Sequence, residues 1–75
     1  MHTLQQREAV PLRETELLNI EAVCAFFGGL DPSTIYRGAA AGRYPRPIKV
    51  GANTSRWLRS ECEAALAAMM ARRAQ

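Results

Sequence analysis

One histidine and two widely separated cysteines are all that this chain of 75 residues offers to a zinc site. Neither Cys24 nor Cys62 lies in a Cys-x-x-Cys or Cys/His spacing, and His2 stands alone near the start. Zinc sites are built from three or four such ligands at short, recurring spacings. The sequence therefore predicts no metal site and no cofactor. It also predicts reduced cysteines that pack as small apolar side chains.

Long apolar runs and catalytic sets are missing as well. No stretch approaches the roughly 20 apolar residues that are needed to cross a bilayer. The first residues also lack the basic start and following apolar run of a signal peptide. The chain has no Ser/His/Asp set and no glycine-rich phosphate loop, and 75 residues leave little room for a substrate pocket with its supporting shell. We therefore expect a cytoplasmic protein that is not an enzyme and has no membrane partner.

Acidic residues are absent from one long window, between Pro32 and Arg59. The rest of the chain is net acidic, so the formal net charge of +3 arises in this window alone. A surface with only positive charges favours binding of a polyanion, because phosphates attract basic groups and repel acidic ones. The window therefore predicts double-stranded DNA as the partner. Its basic residues are Arg37, Arg43, Arg46, Lys49, Arg56 and Arg59.

The first part of the chain is predicted to be a tail followed by a short helix. Residues 1–15 are polar and weakly patterned, which predicts a flexible tail before one domain over residues 16–75. Asn19 is a good N-cap, and apolar residues recur at helical spacing from Ile20 to Phe27. Gly28-Gly29 is expected to end this helix.

A second helix is predicted directly after a short turn. Asp31-Pro32 combines an N-cap with a proline at the first helical position. Ile35 and Ala39 share one face, Arg37 points the opposite way, and Gly42 ends the helix. Two short helices joined by a glycine-containing turn are typical of a helix-turn-helix, whose second helix enters the major groove of DNA.

The pattern after Gly42 changes from helix to strand. Pro45 and Pro47 force extended backbone on the residues before them. Ile48 to Val50 alternates apolar and basic residues, the next three residues suit a turn, and Thr54 to Leu58 can return as a second strand. The sequence thus predicts a β-hairpin, or wing, with Trp57 turned to the core and Arg56 turned outwards.

A closing helix of about 13 residues follows the hairpin. Ser60 and Glu63 match a capping box, which predicts that the helix starts at Ser60. Its expected core stripe is Cys62, Leu66 and Met69. The predicted fold class is α+β, mostly α: a small winged helix-turn-helix with a two-helix unit, a hairpin wing and a closing C-terminal helix.

Four motifs within these elements follow one another in a set order: Gly29-Leu30-Asp31, Ser33 to Arg37, Gly42 to Lys49, and Arg56-Trp57 leading to Ser60-Glu61. By the order and spacing of these motifs, the chain resembles the AlpA-like family of small phage and mobile-element regulators and excisionases, which are related to the MerR-type winged helix-turn-helix. The resemblance covers roughly residues 16 to 70 and implies sequence-specific DNA binding, for excision of a prophage or other mobile genetic element or for transcriptional regulation of an integrase.

Carried over by position, the resemblance implies four contacts on the second helix: Ser33, Thr34, Tyr36 and Arg37. It also implies wing contacts from Lys49 and Arg56. The charge pattern adds Arg43 and Arg46, and the position of Asn53 at the wing tip adds that residue. Ser33 and Thr34 could bind phosphate or be ordinary first-turn residues. The Tyr36 ring could stack on sugar or pack against the wing. The helix continues with Gly38-Ala39-Ala40-Ala41, where Gly38 costs about 1 kcal/mol of helix propensity and the alanines offer no base-reading group.

The leading functional prediction is an excisionase, or recombination directionality factor, that binds attachment-site DNA in the nucleoid. An integrase of the tyrosine recombinase type is a candidate partner, and so is a second copy bound head to tail on neighbouring sites. Two alternatives stay open. One is a transcriptional regulator of an integrase promoter, and the other is a protein-interaction adaptor or inhibitor whose basic face binds an acidic protein.

Overall fold

The structure, a computed structural model, describes residues 16–73. It is a small α+β fold in which three helices pack on one three-stranded antiparallel sheet, and about half of the described residues are helical. The predicted tail, residues 1–15, lies outside the described residues. In chain order the elements are β1 (Leu17–Leu18), α1 (Ile20–Phe26), α2 (Pro32–Ala40), β2 (Ile48–Gly51), β3 (Thr54–Leu58) and α3 (Arg59–Arg73).

The two short helices begin where the sequence predicts. The side chain of Asn19 accepts a hydrogen bond from the backbone N–H of Ala22 at 2.8 Å and so caps α1. Asp31 caps α2 in the same way through the backbone N–H of Ser33 at 3.1 Å, and Pro32 is the first residue of that helix. Both predicted N-caps are confirmed.

The predicted hairpin is present and is extended by a strand that the sequence did not reveal. β2 and β3 pair antiparallel, with Ile48 opposite Arg56. β1 adds to the other edge of β3, with Leu17 opposite Leu58, so the strand order is β1-β3-β2. A two-residue strand is too short for any alternation of apolar and polar residues, so the sequence pattern could not predict β1.

The core lies between the inner face of the sheet and the helices. Trp57, Ile35, Val23 and Cys62 are fully buried, which confirms the predicted inward turn of Trp57. The indole Nε1 donates a hydrogen bond to the backbone oxygen of Pro45 at 3.0 Å. Cys24 belongs to the same core cluster, and both cysteines are free thiols, as the sequence predicts.

The predicted closing helix is present and starts one residue earlier than Ser60. α3 begins at Arg59, so Ser60 lies inside the first turn rather than before it. The reason is that β3 continues into α3 without a loop, and the backbone N–H of Arg59 donates to the oxygen of Glu16 at 2.9 Å. Of the expected core stripe only Cys62 is fully buried, while Leu66 and Met69 are half-buried. α3 is therefore anchored at its N-terminal end.

Candidate nucleic-acid interface

One side of α2 is buried and the other is polar. Ile35, Gly38 and Ala39 face the core, whereas Arg37 is exposed on the opposite side. Within residues 16–73 the Arg37 side chain forms no hydrogen bond or ion pair. Its guanidinium thus keeps all its donors for an external acceptor, in the orientation that the helical spacing predicts.

The N-terminus of α2 is already occupied by a carboxylate. The hydroxyl of Ser33 donates to the Asp31 carboxylate at 2.5 Å, in addition to the backbone N–H of the same residue. These two hydrogen bonds lower the pKa of Asp31, and the positive charge of Arg37 lowers it a little further. Because an ionised carboxylate sits here and uses both donors, the arrangement favours Ser33 as a first-turn residue. Thr34, half-exposed beside it, forms no side-chain hydrogen bond within residues 16–73.

Tyr36 connects α2 to the sheet. Its ring centroid lies 5.7 Å from that of Trp57, with the planes tilted by 60°. About half of the side chain, 46%, stays exposed. Packing against the hairpin is therefore one role of this ring, and the exposed half lies on the surface between α2 and β3.

The predicted wing carries basic residues on both of its faces. Lys49 is opposite Ser55 and shares the face of Trp57, while Arg56 lies on the other face, opposite Ile48. Arg56 donates from Nη1 to the backbone oxygen of Ser55 at 2.8 Å, which holds its side chain along the strand. Lys49 is exposed. The register thus places two predicted wing contacts, Lys49 and Arg56, on opposite faces of the hairpin.

A cleft of about 360 Å³ runs between α1, α2 and the hairpin. It brings Tyr36 of α2 together with Asn53, which is exposed at the hairpin turn as predicted, and with Arg56. Ser33, Thr34 and Arg37 do not line it. Glu21 is the single carboxylate of the cleft, and it was not among the predicted site residues. The lining residues are Asn19, Ile20, Glu21, Tyr36, Asn53, Thr54, Ser55 and Arg56.

The remaining basic residues of the window fall into different environments. Arg59 forms an ion pair with Glu16, Nε to Oε1 at 2.8 Å, and its guanidinium carbon lies 5.8 Å from the Phe26 ring centroid. Arg43 lines a second groove, of about 280 Å³, formed with α3. Arg46 is exposed. The window is continuous in the sequence, but in the structure its basic residues are distributed over α2, both faces of the hairpin and the start of α3.

Comparison of the chain with protein-family models, with curated proteins and with solved structures gave no match. Over residues 16–73 no helix is long and apolar enough to cross a membrane. The same part of the chain holds no group of three or more His, Cys, Asp and Glu side chains that could bind a metal ion. The function is therefore inferred from α2 and the hairpin, the elements that carry most of the predicted contact residues.

Proposed function

We propose that this chain is a sequence-specific DNA-binding protein of the winged helix-turn-helix type, acting for a mobile element as an excisionase or recombination directionality factor. In this proposal α2 enters the major groove of the attachment-site DNA. The β2–β3 hairpin lies against the flanking minor groove or the phosphates. No cofactor takes part.

The observation that carries the proposal is the position in the structure of the window without acidic residues, from Pro32 to Arg59. It starts at the first residue of α2 and continues through the hairpin, and these two elements are joined by the contact between Tyr36 and Trp57. Arg37 on the helix and Lys49 on the hairpin are exposed cations. A helix and a β-ribbon are the elements that fit DNA grooves, and exposed cations supply the electrostatic part of the affinity.

The base-reading capacity of α2 is limited. Beyond Arg37 the exposed position is Ala40, which has no hydrogen-bonding side chain. A good bidentate contact such as arginine to guanine discriminates by about 1–3 kcal/mol, and one such contact does not select a site in a genome. Neighbouring sites bound by successive copies would supply the missing specificity, and this fits an excision factor that coats DNA and helps an integrase to assemble.

The proposal is tested by titrating the full chain against tiled DNA fragments that span the integrase gene and both element ends, at two salt concentrations. A ladder of complexes on an attachment-site fragment is the expected result, with a log–log salt slope of about −0.9 for each phosphate contact. A single complex on a promoter fragment would instead make the chain a transcriptional regulator. Absence of any preferred fragment at either salt concentration would overturn DNA recognition and favour the adaptor.

A further inference from the structure

The groove of about 280 Å³ that Arg43 lines lies between α3 and the segment that joins α2 to β2. One wall of this α3 groove is a single face of the helix, because the α3 residues that line it follow each other at intervals of four, three and four. Two of them are alanines, whose methyl side chains leave the groove open to an incoming group. The four residues are Glu61, Ala65, Ala68 and Arg72.

The charged residues of the α3 groove are unpaired in the part of the chain that the structure describes. Within residues 16–73 the side chains of Arg43, Glu61 and Arg72 form no hydrogen bond or ion pair. Both arginines are exposed, so their guanidinium groups keep all their donors for an external acceptor. The groove therefore has an excess of positive charge.

Glu61 and Arg72 lie at opposite ends of the groove. At 1.5 Å per residue they are about 16 Å apart along α3, which exceeds the Debye length of about 10 Å at 0.1 M salt. The hydrogen bond from Trp57 to the backbone oxygen of Pro45 places Pro45 near the start of α3. The chain from Pro45 back to Arg43 thus leads from the Glu61 end towards Arg72, and the carboxylate is too distant to neutralise the arginines.

The α3 groove also continues the exposed side of α2. Residues 40–43 are all exposed, and they lead from the last turn of α2 to the groove. α2 has nine residues and is about 14 Å long, whereas the major groove of DNA is about 12 Å wide. When α2 lies in the major groove, its C-terminal end therefore comes close to the phosphates of one strand.

We propose that the α3 groove binds a phosphate of the DNA backbone between Arg43 and Arg72, beside the major groove that α2 enters. The inference rests on the proposed function and adds Arg72 to its contacts. Phosphate oxygens accept strong, charge-assisted hydrogen bonds from guanidinium groups. Such a contact carries no sequence information but fixes the position of a protein on the duplex. Arg72 is thus a positioning residue for α2.

Arg72 has a second role, which the test must separate from phosphate binding. A cation in the last turn stabilises the negative end of a helix, and both Arg72 and Arg73 lie in the last turn of α3. Arg73 is exposed as well but does not line the groove. Arg73→Gln is therefore the matched control, since it removes the same charge from the same helix end.

The test is a salt titration of DNA binding by the full chain, followed by fluorescence anisotropy on the preferred fragment and on a scrambled one. Arg72→Gln should reduce the log–log salt slope by about 0.9, the value for one phosphate contact. The affinity should fall about eightfold at 0.1 M salt, and by the same factor on both fragments, because a phosphate contact does not depend on sequence. Arg73→Gln should keep a slope close to that of the parent chain.

A second pair of variants tests the groove without removing an arginine. Ala68→Glu places a carboxylate in the groove, four residues before Arg72, where it can pair with that guanidinium. This variant should weaken binding to both fragments at low salt. Ala67→Glu makes the same change at an exposed position of α3 outside the groove and should have little effect.

An unchanged salt slope in Arg72→Gln would overturn the proposal, and so would equal losses of slope in Arg72→Gln and Arg73→Gln. If the preferred fragment is still selected in either case, the proposed function stands and only the groove contact fails. A parent chain that binds every fragment alike would overturn sequence-specific recognition, while the slope comparison would still decide about the groove. Absence of salt-dependent binding to any fragment would overturn both.

Discussion

The ring of Tyr44 lies where a side chain on residue 38 would have to stand. Gly38 is buried in α2, and a Cβ built on it would overlap Cδ2 and Cε2 of the Tyr44 ring. The ring also packs on Phe27, with centroids 4.9 Å apart. The oxygen of Gly38 accepts a hydrogen bond from the backbone N–H of Arg43 at 2.7 Å. The close approach thus fixes how the chain leaves α2 towards the hairpin.

Gly38→Ala is therefore expected to destabilise the fold. Helix propensity alone would make this change stabilising by about 1 kcal/mol. The overlap with the Tyr44 ring opposes it, because overpacking of a buried site typically costs about 1–3 kcal/mol. We expect the steric effect to win and the free energy of unfolding to fall, as measured by urea denaturation.

Ala40→Gly is the matched control, because Ala40 is exposed on the same helix. It should lower the free energy of unfolding through propensity alone, by less than the roughly 1 kcal/mol of a helix interior because Ala40 is the last residue of α2. A Gly38→Ala variant that is more stable than the parent chain would show that Tyr44 can move aside at no cost. In that case the glycine would have no packing role.

Local signals predicted most of this fold, and tertiary contacts account for what they missed. The caps at Asn19 and Asp31 and the hairpin strand from Thr54 to Leu58 follow from residue types at short range. The pairing of Leu17 with Leu58 does not, because it joins residues far apart in sequence. Helix propensity predicts only that Gly38 weakens α2, because the sequence does not show that the ring of Tyr44 packs against it.

The same distinction applies to the candidate site. Helical spacing correctly predicted that Arg37 points outwards. The charge window did not reveal that Arg59 is paired with Glu16, nor that Lys49 and Arg56 lie on opposite faces of the hairpin. Those are properties of strand register and long-range pairing, which a list of basic residues does not contain.

Arg37→Ala should weaken specific DNA binding while the fold is retained. The guanidinium is exposed and forms no ion pair within residues 16–73, so its loss removes an external contact only. A lost bidentate contact to a base weakens specific binding by about 1–3 kcal/mol, or about 5- to 150-fold. Fluorescence anisotropy on the preferred fragment and on a scrambled one measures the change.

Arg59→Gln is the companion variant, because it removes a cation of the same window that is paired with Glu16. The pair is partly exposed, so its loss should cost at most about 1 kcal/mol of stability. Its DNA affinity should change far less than that of Arg37→Ala. Normal specific binding by the Arg37→Ala variant would mean that α2 is not the DNA-reading helix.

The N-cap of α2 should make the free energy of unfolding depend on pH in the acid range. Hydrogen bonds from Ser33 lower the pKa of Asp31 below its ordinary value. A carboxyl whose folded pKa is depressed contributes stability above its unfolded pKa, and this contribution is lost as the pH falls through the folded value. The free energy of unfolding should therefore decline on acidification below about pH 4.

Asp31→Asn isolates this effect, because asparagine caps a helix about as well as aspartate and does not titrate. The parent chain should be more stable than the variant near neutral pH, and the difference should shrink in acid. Urea denaturation of both proteins across the acid range measures it. A difference that is independent of pH would show that ionisation of Asp31 does not stabilise the cap.

Glu21 is expected to weaken DNA binding rather than support it. It is the one carboxylate in the cleft between α2 and the hairpin, where the proposed function brings DNA phosphates close. Two unit charges 4 Å apart interact by about 1 kcal/mol in water, so Glu21→Gln should tighten binding by up to about fivefold at low salt. The gain should fade as salt is added, because screening weakens the repulsion.

Glu61→Gln is the control for this change, since it removes an exposed carboxylate on α3 that does not line the cleft. Its affinity for DNA should stay near that of the parent chain. If Glu21→Gln instead weakens binding to the preferred fragment alone, Glu21 accepts a hydrogen bond from a base, as carboxylates do from the amino group of cytosine. The cleft would then read sequence, and Glu21 would join Arg37 as a specificity-determining residue.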